Sequence, residues 1–190
     1  TYDYGGAHPK VSYPKGSPVR WELMLDSYSN EPSEYKQAVA EFVYQVGTAT
    51  WLMYGIDGGT ATSGQLSNVL GTFSNFFGMN SGNMVERKNY SQESWTQLIY
   101  NELANGRPVM YTGVHPTNGG HAVYIDGYQA STDMFRFNFG WGSQGDGYWT
   151  TSLENGMNGF NESQCAIVGA YPKEWNMHTA INPPAHVYVT

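Results

Sequence analysis

The hydrophobic period of this chain changes once, at Pro108, and no other feature constrains its fold as much. Before Pro108 apolar residues recur at helical spacing; after it they alternate every second residue. "SEYKQAVAEFVYQVG" predicts a helix, with Ser33 as its cap just after Pro32 and Tyr35, Val39, Phe42, Val43 and Val46 along one face. Either Gly47 breaks it, or "TATWLMYG" carries it on to Tyr54. "GIDGGTATSG" is a glycine-rich loop. "GQLSNVLGTFSNFFG" predicts a second helix through Leu66, Val69, Leu70 and Phe73, stopped by Gly78. The third has the fullest set of signals. Ser91 caps it, Gln92 and Glu93 fill its first turn, and Trp95, Leu98, Ile99 and Leu103 form its stripe. Asn105-Gly106 ends it and Pro108 forbids its return.

Beyond Pro108, "PVMYTGV", "HAVYIDGY", "MFRFNFG", "GYWTT" and "QCAIVGAY" predict five strands. In "MFRFNFG" the alternation puts Phe135, Phe137 and Phe139 on one face and Arg136 and Asn138 on the other. Helices followed by closely joined strands indicate an α+β fold with an antiparallel sheet. The 190 residues suffice for one domain with its own core. Residues 1–32, punctuated by Pro9, Pro14, Pro18 and Pro32, read as an extended entry with a short helical turn between Val19 and Leu25 as one option. Residues 1–172 are read as the core. Residues 173–190, with Pro183-Pro184, are read as a tail or linker leading towards a further domain.

A net charge of −7 argues against nucleic acid as a partner and against charge-driven binding to anionic membranes. No apolar run approaches the roughly 18 residues of a membrane span. Low charge with abundant Tyr, Asn, Gly and Ser leans towards export. The single cysteine, Cys165, allows no internal disulfide. A chain that starts at Thr1 rather than Met is expected to be a processed or trimmed piece.

The stretch that carries chemistry is "NGGHAVYIDGY". His121 follows two glycines, Gly119 and Gly120, whose missing side chains would let a substrate backbone come close. At the start of a strand its imidazole sits at the rim of the sheet. The plain alternative is a histidine that caps a turn. The strand "FNFGWG" favours chemistry. A hairpin would bring Asn138 and Phe139 beside His121, where an amide or carbonyl oxygen could fix the tautomer and leave the other nitrogen as a base. Trp141 could cover that pair from water. Other constellations are weak. His115 and His121 lack a carboxylate or thiolate at zinc-like spacing. Asp57 and Asp146 lack the alternating acidic pattern of a calcium loop, so no metal or cofactor is expected. Asp126 falls on the opposite strand face from His121. "GSQGDG" reads as a mobile turn beside the groove rather than a phosphate cradle.

"GGHAVYIDGY", "FRFNFGWGSQGDGYW" and "QCAIVGAYP" resemble the C-terminal half of the streptopain family of cysteine peptidases, which have a papain-like fold. "AVAEFVYQVGTATWLMYGIDGGTATSGQ" and "WTQLIYNELANGRPVMYTGV" are similar to the same family upstream, so the resemblance runs from about Tyr2 to Pro172. It implies that His121 is a catalytic base working with a cysteine thiolate, that Trp141 is the family's tryptophan near it, and that polypeptide is the substrate. The family usually has tryptophan where this chain has Phe139, so either Asn138 or the Phe139 backbone is the orienting group. Thr60 and Gly120 are placed on the substrate groove.

A papain-like nucleophile opens a helix early in the chain, where the helix N-terminus helps stabilise the thiolate. Cys165 lies late, in an apolar strand, and reads as a small buried hydrophobe. The nucleophile is therefore expected in a segment upstream of Thr1, on the same or a separate chain, and the residues in hand are expected to be inactive alone. Two other functions fit the same residues: a peptidase-like binding domain that has lost its cysteine, and another Cys–His acyl-transfer enzyme.

Overall fold

The computed structural model describes residues 19–25, 27–50, 52, 66–154, 156–173 and 188–189. The chain divides into two compact units, Thr1–Phe77 and Gly78–Thr190.

The first unit holds a 3-10 turn at Trp21–Leu23 and two helices, α1 (Ser33–Ala49) and α2 (Leu66–Phe76). Two expectations for α1 are corrected. Ser33 is its first helical residue and Pro32 the N-cap, with no side-chain capping bond. The stripe that includes Val43 is not its buried face: Val43 is 59% exposed, while Ala38, Gln45 and Thr48 are buried. Apolar residues surround much of this helix, so spacing alone does not single out one face. Phe42 is the stripe residue with aromatic partners, Trp21 and Phe77, at 5.1 and 5.9 Å. Gly47 does not break α1. The helix ends two residues later, where α2 side chains take carbonyls that a further turn would have used. Thr72 Oγ1 donates to Ala49 O at 2.9 Å, and Asn68 Nδ2 donates to Thr50 O at 3.2 Å.

The second unit is a sheet with one helix on it. In chain order it comprises β1 (Met79–Glu86), α3 (Gln92–Ala104), β2 (Val109–His115), β3 (Gly119–Gln129), β4 (Met134–Asn138), β5 (Gly147–Trp149), β6 (Glu162–Pro172) and β7 (Tyr188–Val189). The order across the sheet is β1-β6-β2-β3-β4-β5, every neighbouring pair antiparallel. All five expected strands are present. β7 lies in the expected tail and pairs parallel with Gly127 and Tyr128 of β3, beyond the point where β2 stops. β1 was not expected. "MNSGNMVE" lacks alternation, and Gly82 (φ +67°) meets β6 so closely that a Cβ there would overlap Val168 O.

α3 forms as its caps require. The Ser91 side chain accepts from the Ser94 N–H, and the chain leaves through Asn105 and Gly106, the latter at φ +69°. Trp95, Ile99 and Leu103 pack on Val109 and Tyr111 of β2, Val123 and Ile125 of β3, Phe135 and Phe137 of β4, and Ala166 and Val168 of β6. Removing such side chains from water stabilises by about 1.5–3 kcal/mol each. Polar atoms of Trp95, Tyr111 and Gln164 pair with one another inside. Trp95 Nε1 donates to the Tyr111 hydroxyl at 3.0 Å, and that hydroxyl donates to Gln164 Oε1. Burial pushes the Tyr111 phenol up, so it stays a neutral donor.

Candidate active site

β3 outruns β4. The last ladder pair is Tyr124 with Asn138, so β3 residues before Tyr124 have no β4 partner and the chain after Asn138 folds across them. His121 shares the core face with Val123 and Ile125, but at this uncovered end it is only half-buried. Three rings enclose its imidazole. Trp141 lies 4.4 Å away, Phe160 5.7 Å, and Phe139 is stacked at 6.0 Å with an interplanar angle of 4°.

His121 Nε2 lies 2.9 Å from the carbonyl oxygen of Phe139. A carbonyl only accepts, so Nε2 carries the proton and donates it. Nδ1 is then the nitrogen with the lone pair, and among the described residues none hydrogen-bonds to it. Of the two expected orienting groups, the Phe139 backbone is the one in contact. Asn138 turns its amide elsewhere: its Oδ1 accepts from the Gly140 N–H at 2.9 Å. The structure therefore brings together His121, Phe139 and Trp141, with Asn138 one peptide removed. Gly119 (φ +81°) and Gly120 are exposed just ahead of the ring, and a Cβ on Gly119 would meet nothing within 4 Å. Thr60 lies outside the described residues.

The "GSQGDG" turn, expected to be mobile, is tied at several points. Asp146 Oδ1 accepts from the Phe139 N–H at 2.7 Å, Gly145 O accepts from Trp149 Nε1 at 3.1 Å, and Trp141 O accepts from the Gln144 N–H at 3.2 Å. Gly140, Gly142 and Gly145 all have positive φ, which lets this short loop double back and lay Trp141 on the histidine.

Three residues at the site escaped the sequence reading. Phe160 belongs to the segment before β6 and packs on both His121 and His115. Gly113 pairs directly with His121, and a Cβ there would overlap Phe160 O. Asp146, which lacks a calcium-loop pattern, instead accepts from the Phe139 N–H at 2.7 Å. The near-identical role of turn-capping histidine falls to His115, whose Nδ1 accepts from the Thr117 and Asn118 N–H groups at 3.1 and 3.3 Å.

Cys165 is on the wrong side of the sheet for His121. It pairs with Thr112 and Glu86, and alternation puts it on the face opposite the core residues Tyr111 and Ala166. Burial, reinforced by Glu86, pushes its thiol up, away from the thiolate a nucleophile needs. Asp126 is likewise on the far face, 3.4 Å from Arg136. Among the described residues no three His, Cys, Asp or Glu side chains converge as a metal site.

Comparison with known proteins gives one consistent answer. The family model described as the peptidase C10 family matches residues 6–149. Streptopain of Streptococcus pyogenes serotype M28 is 31% identical over 189 residues, which cover 90% of this chain and 46% of streptopain. The thiol protease/hemagglutinin PrtT of Porphyromonas gingivalis is 28% identical over 185 residues, 90% of this chain and 21% of its own. Among solved structures, active wild-type interpain A, a cysteine protease of Prevotella intermedia, superposes with a TM-score of 0.71 at 28% identity. That match covers 82% of this chain and 65% of interpain A. A fragment of prointerpain A gives 0.67 at 27% identity, over 83% of this chain and 50% of that one. The chain thus spans 46% of the length of streptopain, about half of it.

Proposed function

The chain belongs to the peptidase C10 family, and from that premise we propose that it is the histidine-bearing part of a cysteine endopeptidase acting on polypeptides. Its α+β fold is that of papain-like cysteine peptidases. The observation that carries the proposal is the bond from His121 Nε2–H to Phe139 O, 2.9 Å long, which commits one ring nitrogen and leaves Nδ1 as the base.

In this mechanism the nucleophilic cysteine lies in a segment upstream of Thr1, in the same polypeptide or on a separate chain. His121 Nδ1 takes its proton, and the thiolate adds to the scissile carbonyl. The imidazolium returns that proton to the leaving amine as the C–N bond breaks, leaving a thioester. Water then attacks the thioester as His121 takes its proton, the C–S bond breaks to free the carboxylic acid product, and the imidazolium returns the proton to the sulfur. The oxyanion is held mainly by donors from the upstream segment, including the nucleophile's own N–H. Trp141 and the rings of Phe139 and Phe160 limit water around the Nε2 bond. Gly119 and Gly120, exposed just ahead of the ring, let a substrate backbone come close. Among the described residues no nucleophile is in reach of His121, and residues 1–190 alone are expected not to turn over. Action outside the cell accords with the low charge and polar aromatic composition.

The test uses the protein expressed from its complete coding sequence. His121→Ala is expected to lower peptidase kcat by about 10²–10⁴-fold. A thiol-directed peptidase inhibitor is expected to label a cysteine upstream of Thr1, and Cys165→Ser to leave labelling and turnover unchanged. Labelling at Cys165 would sink the assignment.

A further inference from the structure

We propose that Asp146 is a positioning residue for His121, acting through the backbone of Phe139; this rests on the reading of His121 as the base. The carbonyl that orients the imidazole belongs to a residue whose two polar backbone groups are both engaged. Its C=O accepts from His121 Nε2–H at 2.9 Å, and its N–H donates to Asp146 Oδ1 at 2.7 Å. An amide donating to a carboxylate at this length is a charge-assisted bond, stronger than a neutral one. The next peptide carries the orienting carbonyl, and its own N–H, that of Gly140, donates to Asn138 Oδ1 at 2.9 Å. Three hydrogen bonds therefore fix one carbonyl, two of them from side chains that do not touch the ring.

The local sequence explains why such a clamp is needed. Phe139 is the last residue before a loop with glycine at 140, 142 and 145, all at positive φ. Glycine offers little resistance to rotation, so the loop cannot by itself hold the Phe139 carbonyl at hydrogen-bond distance from the ring. Asp146 closes that loop. It sits immediately before β5, and Gly147 of that strand pairs with Phe137, so the carboxylate is set on a ladder only two residues from the amide it holds. Asn138 shares this indirect role. It steers the histidine by holding the peptide that the histidine uses.

The experiment uses the complete protein and compares Asp146→Ala with Asp146→Asn, which retains an acceptor oxygen. Two readouts are taken: kcat and KM on a peptide substrate, and the side-chain ¹⁵N spectrum of His121. Asp146→Ala is expected to lower kcat between roughly tenfold and a hundredfold, with KM within about twofold. Its His121 spectrum should lose the single Nε2–H tautomer, and Asp146→Asn should restore both signals. The proposal is overturned if Asp146→Ala keeps kcat within about twofold, or leaves the His121 tautomer unchanged. It is also overturned if folded Asp146→Asn loses as much as Asp146→Ala. Should the alanine variant not fold, the asparagine variant still decides. His121→Ala separates the two claims: retained activity there defeats the reading of His121 as base, while the tautomer measurement still judges Asp146.

Discussion

His115 and His121 stand on the same face of neighbouring strands, both against Phe160, at 5.5 and 5.7 Å. Their uses differ because different nitrogens are engaged. Two backbone N–H groups occupy Nδ1 of His115, so taking up a proton there would break the turn it caps. His121 is bonded at Nε2, and among the described residues none hydrogen-bonds to its Nδ1, the nitrogen proposed as the base. Trp141 gives the sharpest residue-level prediction. It is 42% exposed, so little fold stability depends on it, yet its ring lies 4.4 Å from that of His121. Trp141→Ala is expected to lower kcat/KM about tenfold by admitting water, and to shift Tm by no more than about 2 °C, with Trp141→Phe recovering most activity. Paired kinetics and thermal melts measure both. His121, Phe139 and Trp141 were legible because their types and order are distinctive. The roles of Asp146 and Phe160 were not, since a glutamate-poor glycine turn and a lone phenylalanine have no local signature.

Elements set the site through where strands start and stop. β3 extends past β4, and that overhang is what leaves His121 at a half-covered edge. Gly113 lies across the ladder from His121, and the Phe160 backbone fills the space where its side chain would be. Gly113→Ala is expected to destabilise the protein by about 2–3 kcal/mol, because backbone rather than a flexible side chain must give way. Gly120→Ala is the contrast. The nearest atoms to a Cβ there are 3.8 Å away, so stability should change by less than about 0.5 kcal/mol. Any loss of peptidase activity in that variant would come from crowding of the substrate backbone. Urea denaturation of the two variants, alongside kinetics for the second, tests the pair. The five strands after Pro108 and the capped α3 were legible because each has one buried face that imposes a period. β1 was not, because its polar, glycine-containing segment imposes none, and α1 misled because apolar residues occupy more than one of its faces.

Across the sheet-bearing unit, α3 is locked to β6 by Glu102. The carboxylate pairs with Arg107 Nε and Nη2 at 2.8 and 2.9 Å and accepts from the Gly169 N–H at 2.8 Å. Burial disfavours its charge, but the Arg107 hydrogen bonds and the Gly169 amide outweigh that and hold its carboxyl below the ordinary value. A lowered folded-state pKa means that stability is fully present above the ordinary carboxylate range. It is lost as pH falls from that range through the folded value. Acid unfolding should therefore include a step that disappears in Glu102→Gln, and that variant should be less stable at neutral pH by about 1–3 kcal/mol. Urea titrations at several pH values test this. The sequence by itself determined the three helices, the five strands after Pro108 and the alternation of the aromatic strand, because these follow from local period, capping and residue type. The tertiary structure alone decided that a backbone carbonyl orients His121, that Asp146 and Asn138 hold that carbonyl, and that Cys165 is turned to the opposite face. Those facts depend on strand register and overhang, which bring together residues far apart in the chain and which no local pattern encodes.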